Sequence, residues 1–178
     1  MTRWIALLRG INVGGHNRIP MADLRALCAT MDWQDVSTYI QSGNIVFSAN
    51  GSIPTLEKAL TDGIASRFGH RINVLVRPAA AWPLYLRINP FPEASESEPD
   101  RVMLALSKRP LPPDAADHLN QYTTSGESIA QRTESLWIHY ASGAAKSRVT
   151  PALLDRLAGS PVTTRNWRTV LKINDLIG

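Results

Sequence analysis

Residues 35–48, DVSTYIQSGNIVFS, decide the fold. Polar and apolar side chains alternate over residues 35–41, and the apolar residues of 44–48 follow directly after the dipeptide Ser42-Gly43. Small turn-forming residues between two strand-like runs are typical of a tight hairpin connection. The segment is therefore predicted to be a β-hairpin.

On either side of this hairpin the apolar spacing changes to that of a helix. Residues 20–31 begin with Pro20, which suits the first helical position, and they place Cys28 on the apolar face. Residues 55–68 have the same spacing and end before Gly69, which suits a helix C-cap. Two helices are predicted, and Cys28 is expected in the core.

Two further apolar runs, residues 3–9 and 71–77, are predicted to be strands, which gives the order βαββαβ of a ferredoxin-like unit. Residues 4–8, WIALL, are apolar at every position, as is typical of a strand buried on both faces. The helices of one such unit cover a single sheet face. We therefore expect two halves of the chain to share a core.

The second half repeats this order as a pattern, without a repeat of residues. Residues 78–88 are expected to form a short trailing helix interrupted by Pro83, and residues 89–100, NPFPEASESEPD, a linker or long surface loop. The predicted strands of the second half are 101–107, 128–132, 136–140 and 161–164, and its predicted helices are 113–122, 151–158 and a closing helix at 166–176.

The predicted fold class is thus α+β, with two tandem βαββαβ halves that share a core and with a C-terminal helix. The predicted boundaries are 1–88 for the N-terminal half, 89–100 for the linker and 101–178 for the C-terminal half. A chain of 178 residues with 44% hydrophobic residues is long enough to bury a core without a metal ion or a disulfide.

Charge and cysteine content limit the classes of function. The chain has 19 Lys+Arg and 15 Asp+Glu, a net charge of +4, which lacks the dense basic stripe of a nonspecific nucleic-acid binder. The single cysteine excludes an intramolecular disulfide and favours a reducing compartment. The apolar run at 4–8 is far shorter than the ~20 residues of a membrane span. We expect a cytoplasmic monomer or weak homodimer without a membrane partner.

The glycine-rich stretch at residues 7–17, LLRGINVGGHN, has the glycine spacing of a phosphate-binding P-loop at Gly10 and Gly15. His16 and Asn17 stand where that motif requires lysine and a hydroxyl residue, so nucleotide hydrolysis is not expected. Two interpretations stay open: a turn that redirects the chain, and a nest of backbone N–H groups for an anion.

Other catalytic signals are weak. The histidines are isolated, so no metal site is predicted, and no cofactor is expected. No G-x-S-x-G elbow is present. Residues 44–48 do not match the aromatic motif of an RNA-recognition domain, and Trp137 and Tyr140 are expected to pack in the core. Whether the protein is an enzyme stays open.

Four motifs carry a family resemblance: LLRGINVGGHNRIPMADLR at 7–25, TYIQSGNIVF at 38–47, NPFP at 89–92 and TTRNWRTVLKI at 163–173. With these motifs the chain resembles the bacterial family of domain of unknown function 1697. The resemblance implies a cytosolic α+β protein with no established activity. In that family's pattern a lysine often fills the place of His16, and Ser-Lys that of Ser147-Arg148. The resemblance therefore does not favour a role that needs a lysine amine here.

The predicted topology places three polar stretches, residues 41–44, 146–148 and 164–168, at edges of the sheets. In a βαββαβ unit the end of the first strand and the hairpin between the second and third meet at one edge, and in the second half the exits of the third and fourth strands share an edge. We expect these edges to face each other and to form one composite basic cleft. The predicted ligand-binding residues are Arg9, Asn12, Gly14, Gly15, Ser42, Asn44, Lys146, Arg148, Arg165 and Asn166.

The leading hypothesis is a cytosolic anion-binding protein that holds a phosphate-bearing ligand, either a nucleotide or a nucleic-acid end, through loop amides and arginines. An exposed Arg165 is expected to contribute little to folding. A second hypothesis is an enzyme on a small phosphorylated or acidic substrate, with Ser42, Asn44 or Lys146 as the reactive group. A third is a structural or protein-interaction module in which Trp167 is a packing anchor.

Overall fold

The computed structural model describes all 178 residues, which form eight β-strands and seven α-helices. The chain divides into two compact units. Unit 1 consists of Met1–Pro83 together with Lys172–Gly178, and unit 2 consists of Leu84–Leu171.

Unit 1 contains a four-stranded sheet in the order β2-β3-β1-β4, in which every neighbouring pair is antiparallel. Leu7 near the end of β1 lies opposite Asn44 at the start of β3. The end of β1 therefore lies beside the β2–β3 hairpin, as the topology predicts. The elements are β1 (Thr2–Leu8), α1 (Met21–Ala29), β2 (Gln34–Tyr39), β3 (Asn44–Ala49), α2 (Ile53–Phe68) and β4 (Val74–Pro78).

The ends of the two helices follow from local chemistry. Ser52 caps α2, because its side chain accepts a hydrogen bond from the Thr55 amide, and Gly69 ends the helix at φ 72°, as predicted. Pro20 stands one position earlier than predicted, at the N-cap of α1 rather than inside the helix, and it provides no side-chain cap. Strand β4 begins at Val74, three residues later than expected.

The core of unit 1 confirms that β1 is buried on both faces. Trp4, Ala6 and Leu8 belong to the apolar cluster, and the alternate residues Ile5 and Leu7 are 0% and 1% exposed. Cys28 is also fully buried in this cluster, as predicted. Burial raises the pKa of its thiol to about 12, so the thiol is not a nucleophile at neutral pH.

The sheet of unit 2 has the order β6-β7-β5-β8 and is also antiparallel throughout, with β8 at one edge. Trp137 in β7 is fully buried, which confirms its predicted place in the core. The remaining elements are α3 (Trp82–Ile88), α4 (Pro92–Ser97), β5 (Val102–Ser107), α5 (Ala115–Asn120), β6 (Glu127–Arg132), β7 (Ser135–Tyr140), α6 (Pro151–Ala158), β8 (Val162–Asn166) and α7 (Trp167–Ile177).

The α+β prediction is confirmed, because two four-stranded antiparallel sheets with interleaved helices and a C-terminal helix are consistent with two ferredoxin-like halves. Residues 89–100 need a correction, because they include helix α4. The Asn89 side chain organises its start: Oδ1 accepts from the Phe91 amide at 2.9 Å, and Nδ2 donates to Ser95 Oγ at 2.7 Å. Pro92 fits the first turn of this helix instead of excluding it. The shared core and the composite cleft stay predictions.

Candidate functional site

Residues 9–19 and the turn of the β2–β3 hairpin are tied together at one edge of the unit 1 sheet. The Leu8 amide donates to the Gly43 carbonyl at 2.9 Å. Asn12 Nδ2 donates to the carbonyl oxygens of Ile19 at 3.0 Å and Gln41 at 2.8 Å, and Asn12 Oδ1 accepts from the Ile19 amide at 2.8 Å. The Asn12 side chain thus links the loop to the hairpin at this edge.

The glycine pair forms a turn at the tip of this loop. The His16 amide donates to the Val13 carbonyl at 2.9 Å, and Gly14 and Gly15 between them have φ values of 57° and 79°. Two successive left-handed residues define a type I′ turn, which favours glycine at both positions. Both glycines are exposed, and their amides donate to no group of the protein. The pair therefore redirects the chain and also leaves two N–H groups open to solvent.

A shallow cavity of about 400 Å³ lies beside this loop, at the start of α1. The first turn of α1 has no side-chain cap. Arg18 and Gln41 are exposed, and the Arg18 guanidinium forms no hydrogen bond or ion pair with the protein. The cavity therefore joins the N-terminus of α1, whose first turn also contains Asp23, to an exposed guanidinium. Its lining residues are Asn12, Arg18, Ile19, Pro20, Met21, Ala22 and Gln41.

Of the ligand-binding residues predicted in unit 1, Asn12 borders this cavity. Asn44 is 1% exposed, and its Nδ2 donates to the Tyr39 carbonyl at 3.0 Å and to Ser42 Oγ at 3.2 Å. Ser42 and Asn44 thus hold the hairpin turn, and Arg9 is half-buried.

Arg18 and Gln41 were missed by sequence reasoning. The signal for Arg18 was present, because a residue two positions before a helix-initiating proline lies beside the helix N-terminus. Gln41 gave no comparable signal, since its place at the cavity depends on the bond from Asn12 to its carbonyl oxygen.

The predicted residues of unit 2 differ in exposure. Lys146 and Arg148 are exposed, as a ligand site requires. Arg165 is only 8% exposed, so the expectation of an exposed guanidinium is wrong. Burial lowers the pKa of Arg165 to about 10, and its Nη1 donates to the Thr164 carbonyl at 2.8 Å. Asn166 Oδ1 accepts from the Thr169 amide at 3.0 Å and so caps α7.

Glu127 is a further residue that sequence reasoning missed. It is 9% exposed and holds the segment before α6: Ser147 donates to Glu127 Oε1, and Ser147 Oγ in turn accepts from the Val149 amide at 3.0 Å. Desolvation acts to raise the pKa of Glu127, but hydrogen bonds from Ser147 and from backbone amides outweigh it and lower the pKa. Ser147 therefore has a structural partner.

Two other findings bear on function. No three His, Cys, Asp or Glu side chains are grouped so that they could hold a metal ion. None of the helices combines the length and apolar content needed to cross a membrane.

Residues 1–137 match a family described as a protein of unknown function, DUF1697. The chain belongs to this family. The match includes the whole of the loop, the hairpin and the cavity of unit 1, but it ends before Lys146, Arg148 and Arg165. The DUF1697 description names no activity.

A solved structure, described as a conserved bacterial protein from Streptococcus pneumoniae, is similar to the chain with a TM-score of 0.74 and 23% sequence identity. The similarity covers 99% of each chain, so the fold is shared over the full length. No curated protein matches the sequence.

Proposed function

We propose that this DUF1697 protein binds a phosphate-bearing ligand of nucleotide size at the start of α1. One observation carries the proposal: the uncapped first turn of α1 opens into a cavity of about 400 Å³ beside Arg18, whose guanidinium has no partner in the protein.

The amides in the first turn of α1 and the guanidinium of Arg18 are both suited to bind phosphate. The Leu24 amide, which donates to the Pro20 carbonyl at 3.0 Å, makes the first intrahelical bond, so the amides of the preceding turn are available to a ligand. Such amides carry the positive end of the helix dipole, worth about half a unit charge. A guanidinium adds two parallel N–H donors that match two phosphate oxygens. Gly14 and Gly15, at the tip of the same loop, leave two amides open to solvent but do not line the cavity.

The hydrogen bonds that fix the loop support ligand binding. Asn12 fixes the two walls of the cavity, because its amide group bonds both Ile19 and Gln41. A site whose walls are fixed before binding loses less conformational entropy when a ligand enters.

The enzyme hypothesis has no comparable support. Ser42 and Asn44, two of its three reactive candidates, bond to each other inside the hairpin turn. The structural-module hypothesis keeps one observation in its favour, since the rings of Trp137 and Trp167 lie 5.9 Å apart and tilted by 55°. Trp167 as a packing anchor in unit 2 is compatible with ligand binding in unit 1.

A cytoplasmic location and a monomer or weak homodimer belong to the same proposal. The thiol of Cys28 is fully buried, which supports an assembly without a disulfide between copies.

Isothermal titration with pyrophosphate at low ionic strength tests the proposed site. Arg18→Ala is expected to weaken binding by roughly 10-fold or more, because hydrogen bonds to charged groups contribute about 1.5–3 kcal/mol. The matched control is Arg71→Ala, which removes another exposed arginine of unit 1 and is expected to bind like the wild type. Absence of binding by the wild type, or equal losses in the two variants, would contradict the proposal.

A further inference from the structure

We propose that unit 2 holds a second small-molecule site, which binds an organic phosphate with a planar ring, of the nucleoside monophosphate class. This site is independent of the cavity at α1. It is a cavity of about 420 Å³ lined by Tyr122, Arg148, Thr150, Ala152, Leu153 and Arg156. Its volume falls within the range of about 300–1,000 Å³ that small-molecule sites occupy.

The charge of this cavity is unbalanced. Two of its six lining side chains are arginines, and none is a carboxylate. Arg148 makes no side-chain hydrogen bond, and neither Arg148 nor Arg156 forms an ion pair. Two guanidiniums that share a cavity repel each other unless an anion lies between them, and a phosphate accepts from both. The cavity therefore favours a phosphate.

The structure positions the Arg156 side chain and the Arg148 backbone before any ligand enters. Arg156 Nη2 donates to Tyr122 Oη at 3.4 Å, and its guanidinium carbon lies 5.8 Å from the centre of the Tyr122 ring. Arg148 is fixed through its backbone, because its carbonyl accepts from the Thr150 amide at 2.9 Å. The preceding residue, Ser147, is bonded to the buried Glu127.

The lining residues other than the arginines explain why we expect the ligand to carry a planar ring. Tyr122 is 37% exposed, a high value for an aromatic side chain, and it lies in the same cavity as Ala152 and Leu153. An aromatic face and two aliphatic side chains offer stacking and apolar contact to a planar ring. Inorganic phosphate alone would leave this part of the cavity unused. The cavity thus matches a ligand with an anionic end and a flat apolar end.

The test uses AMP as the probe and the full-length Arg18→Ala protein as the background, so that failure of the α1 site does not affect the result. Saturable binding of AMP is expected in titration calorimetry, with binding at least about 10-fold weaker for inorganic phosphate and for adenosine. In the same background Arg148→Ala and Arg156→Ala are each expected to weaken AMP binding about 10-fold or more.

Two further variants separate the roles of the ring and the charge. Tyr122→Phe keeps the stacking face but removes the Oη acceptor of Arg156, so it is expected to weaken AMP binding less than Tyr122→Ala, which is expected to lose about 10-fold. Arg132→Ala is the matched control, since Arg132 is an exposed arginine at the β6–β7 turn, outside the cavity. Thermal melting of each variant checks that the fold is kept.

The proposal is overturned if AMP does not bind, or if inorganic phosphate or adenosine binds as tightly as AMP. It is also overturned if folded Arg148→Ala and Arg156→Ala proteins bind AMP as the Arg132→Ala control does.

Discussion

Glu127 links the stability of unit 2 to pH. Its Oε2 accepts from the amides of Thr124 at 3.0 Å and Ser125 at 2.8 Å, while Oε1 accepts from Ser147. These donors form stronger hydrogen bonds with the ionised carboxylate than with the protonated group. They therefore lower the pKa of Glu127, although desolvation acts to raise it.

A carboxyl group with a lower pKa in the folded than in the unfolded chain stabilises the fold fully above its unfolded pKa. This contribution is lost as the pH falls through the folded pKa, which lies below the ordinary value of 4.5. We therefore expect the free energy of unfolding of the wild type to fall more steeply with acidification in this range than that of Glu127→Gln. Urea unfolding at a series of pH values measures the difference, and parallel curves for the two proteins would contradict it.

Arg165 is expected to support folding rather than ligand binding. Its guanidinium is buried and donates to the Thr164 carbonyl. Arg165→Ala removes a buried side chain together with its hydrogen bond to a half-buried carbonyl, and we expect a destabilisation of about 1–3 kcal/mol. The exposed Arg148 is the control, and Arg148→Ala is expected to change stability by less than about 0.5 kcal/mol. Equal urea midpoints for the two variants would show that burial of Arg165 has no energetic consequence.

At the scale of elements, the β2–β3 hairpin packs tightly against the end of β1. Gly43 has φ 76°, and a Cβ added there would lie 2.7 Å from Ile11 Cδ1 and 2.7 Å from Leu8 Cβ. Gly14, at the tip of the 9–19 loop, has φ 57°, but an added Cβ would meet nothing closer than His16 Cδ2 at 3.8 Å. Both positions disfavour a side chain through φ, and Gly43 does so through packing as well.

Alanine substitutions at Gly14 and Gly43 distinguish the cost of backbone strain from the cost of overpacking. Gly14→Ala is expected to destabilise the protein by about 1–2 kcal/mol, the cost of a left-handed alanine. Gly43→Ala should cost about 1–3 kcal/mol more, because overpacking is added to the strain. Chemical denaturation measures both values. A Gly43→Ala protein as stable as Gly14→Ala would contradict the packing of the hairpin against β1.

Gly14→Val gives a further test of the loop. Since an added Cβ would meet nothing closer than 3.8 Å, the substitution is expected to weaken pyrophosphate binding more than it lowers stability, because a β-branched residue resists φ > 0 and limits the approach of a ligand to the backbone. Unfolding of Gly14→Val would instead show that the loop serves the fold alone.

The elements that the sequence predicted well are those with repeated local signals. The hairpin was marked by Ser42-Gly43, and α2 by its apolar spacing and Gly69. Residues 89–100 are proline-rich and acidic and lack a helical period, so the sequence predicts a linker there, whereas the start of α4 depends on hydrogen bonds of the Asn89 side chain to Phe91 and Ser95. The candidate site has the same difficulty. Tertiary packing decides whether Arg165 is exposed, and the identity of the residue alone does not predict it.

At the scale of the molecule, a net charge of +4 is modest, so the proposed function depends on local arrangements of donors rather than on a general basic field. The dependence of binding on salt tests this. If the end of a single-stranded oligonucleotide occupies the site through two or three phosphate contacts, the slope of log K against log salt should be about −1.5 to −2. A much steeper slope would indicate a nonspecific basic surface instead.

Phosphate binding at the start of α1 can be followed residue by residue in a ¹H–¹⁵N NMR titration with pyrophosphate. We expect saturable shifts of the Arg18, Met21 and Ala22 amides and of the Gln41 side-chain amide, with the Arg18→Ala protein showing these shifts only at much higher pyrophosphate concentration. Unchanged resonances at these residues, or shifts that are the same in Arg18→Ala as in the wild type, would contradict it.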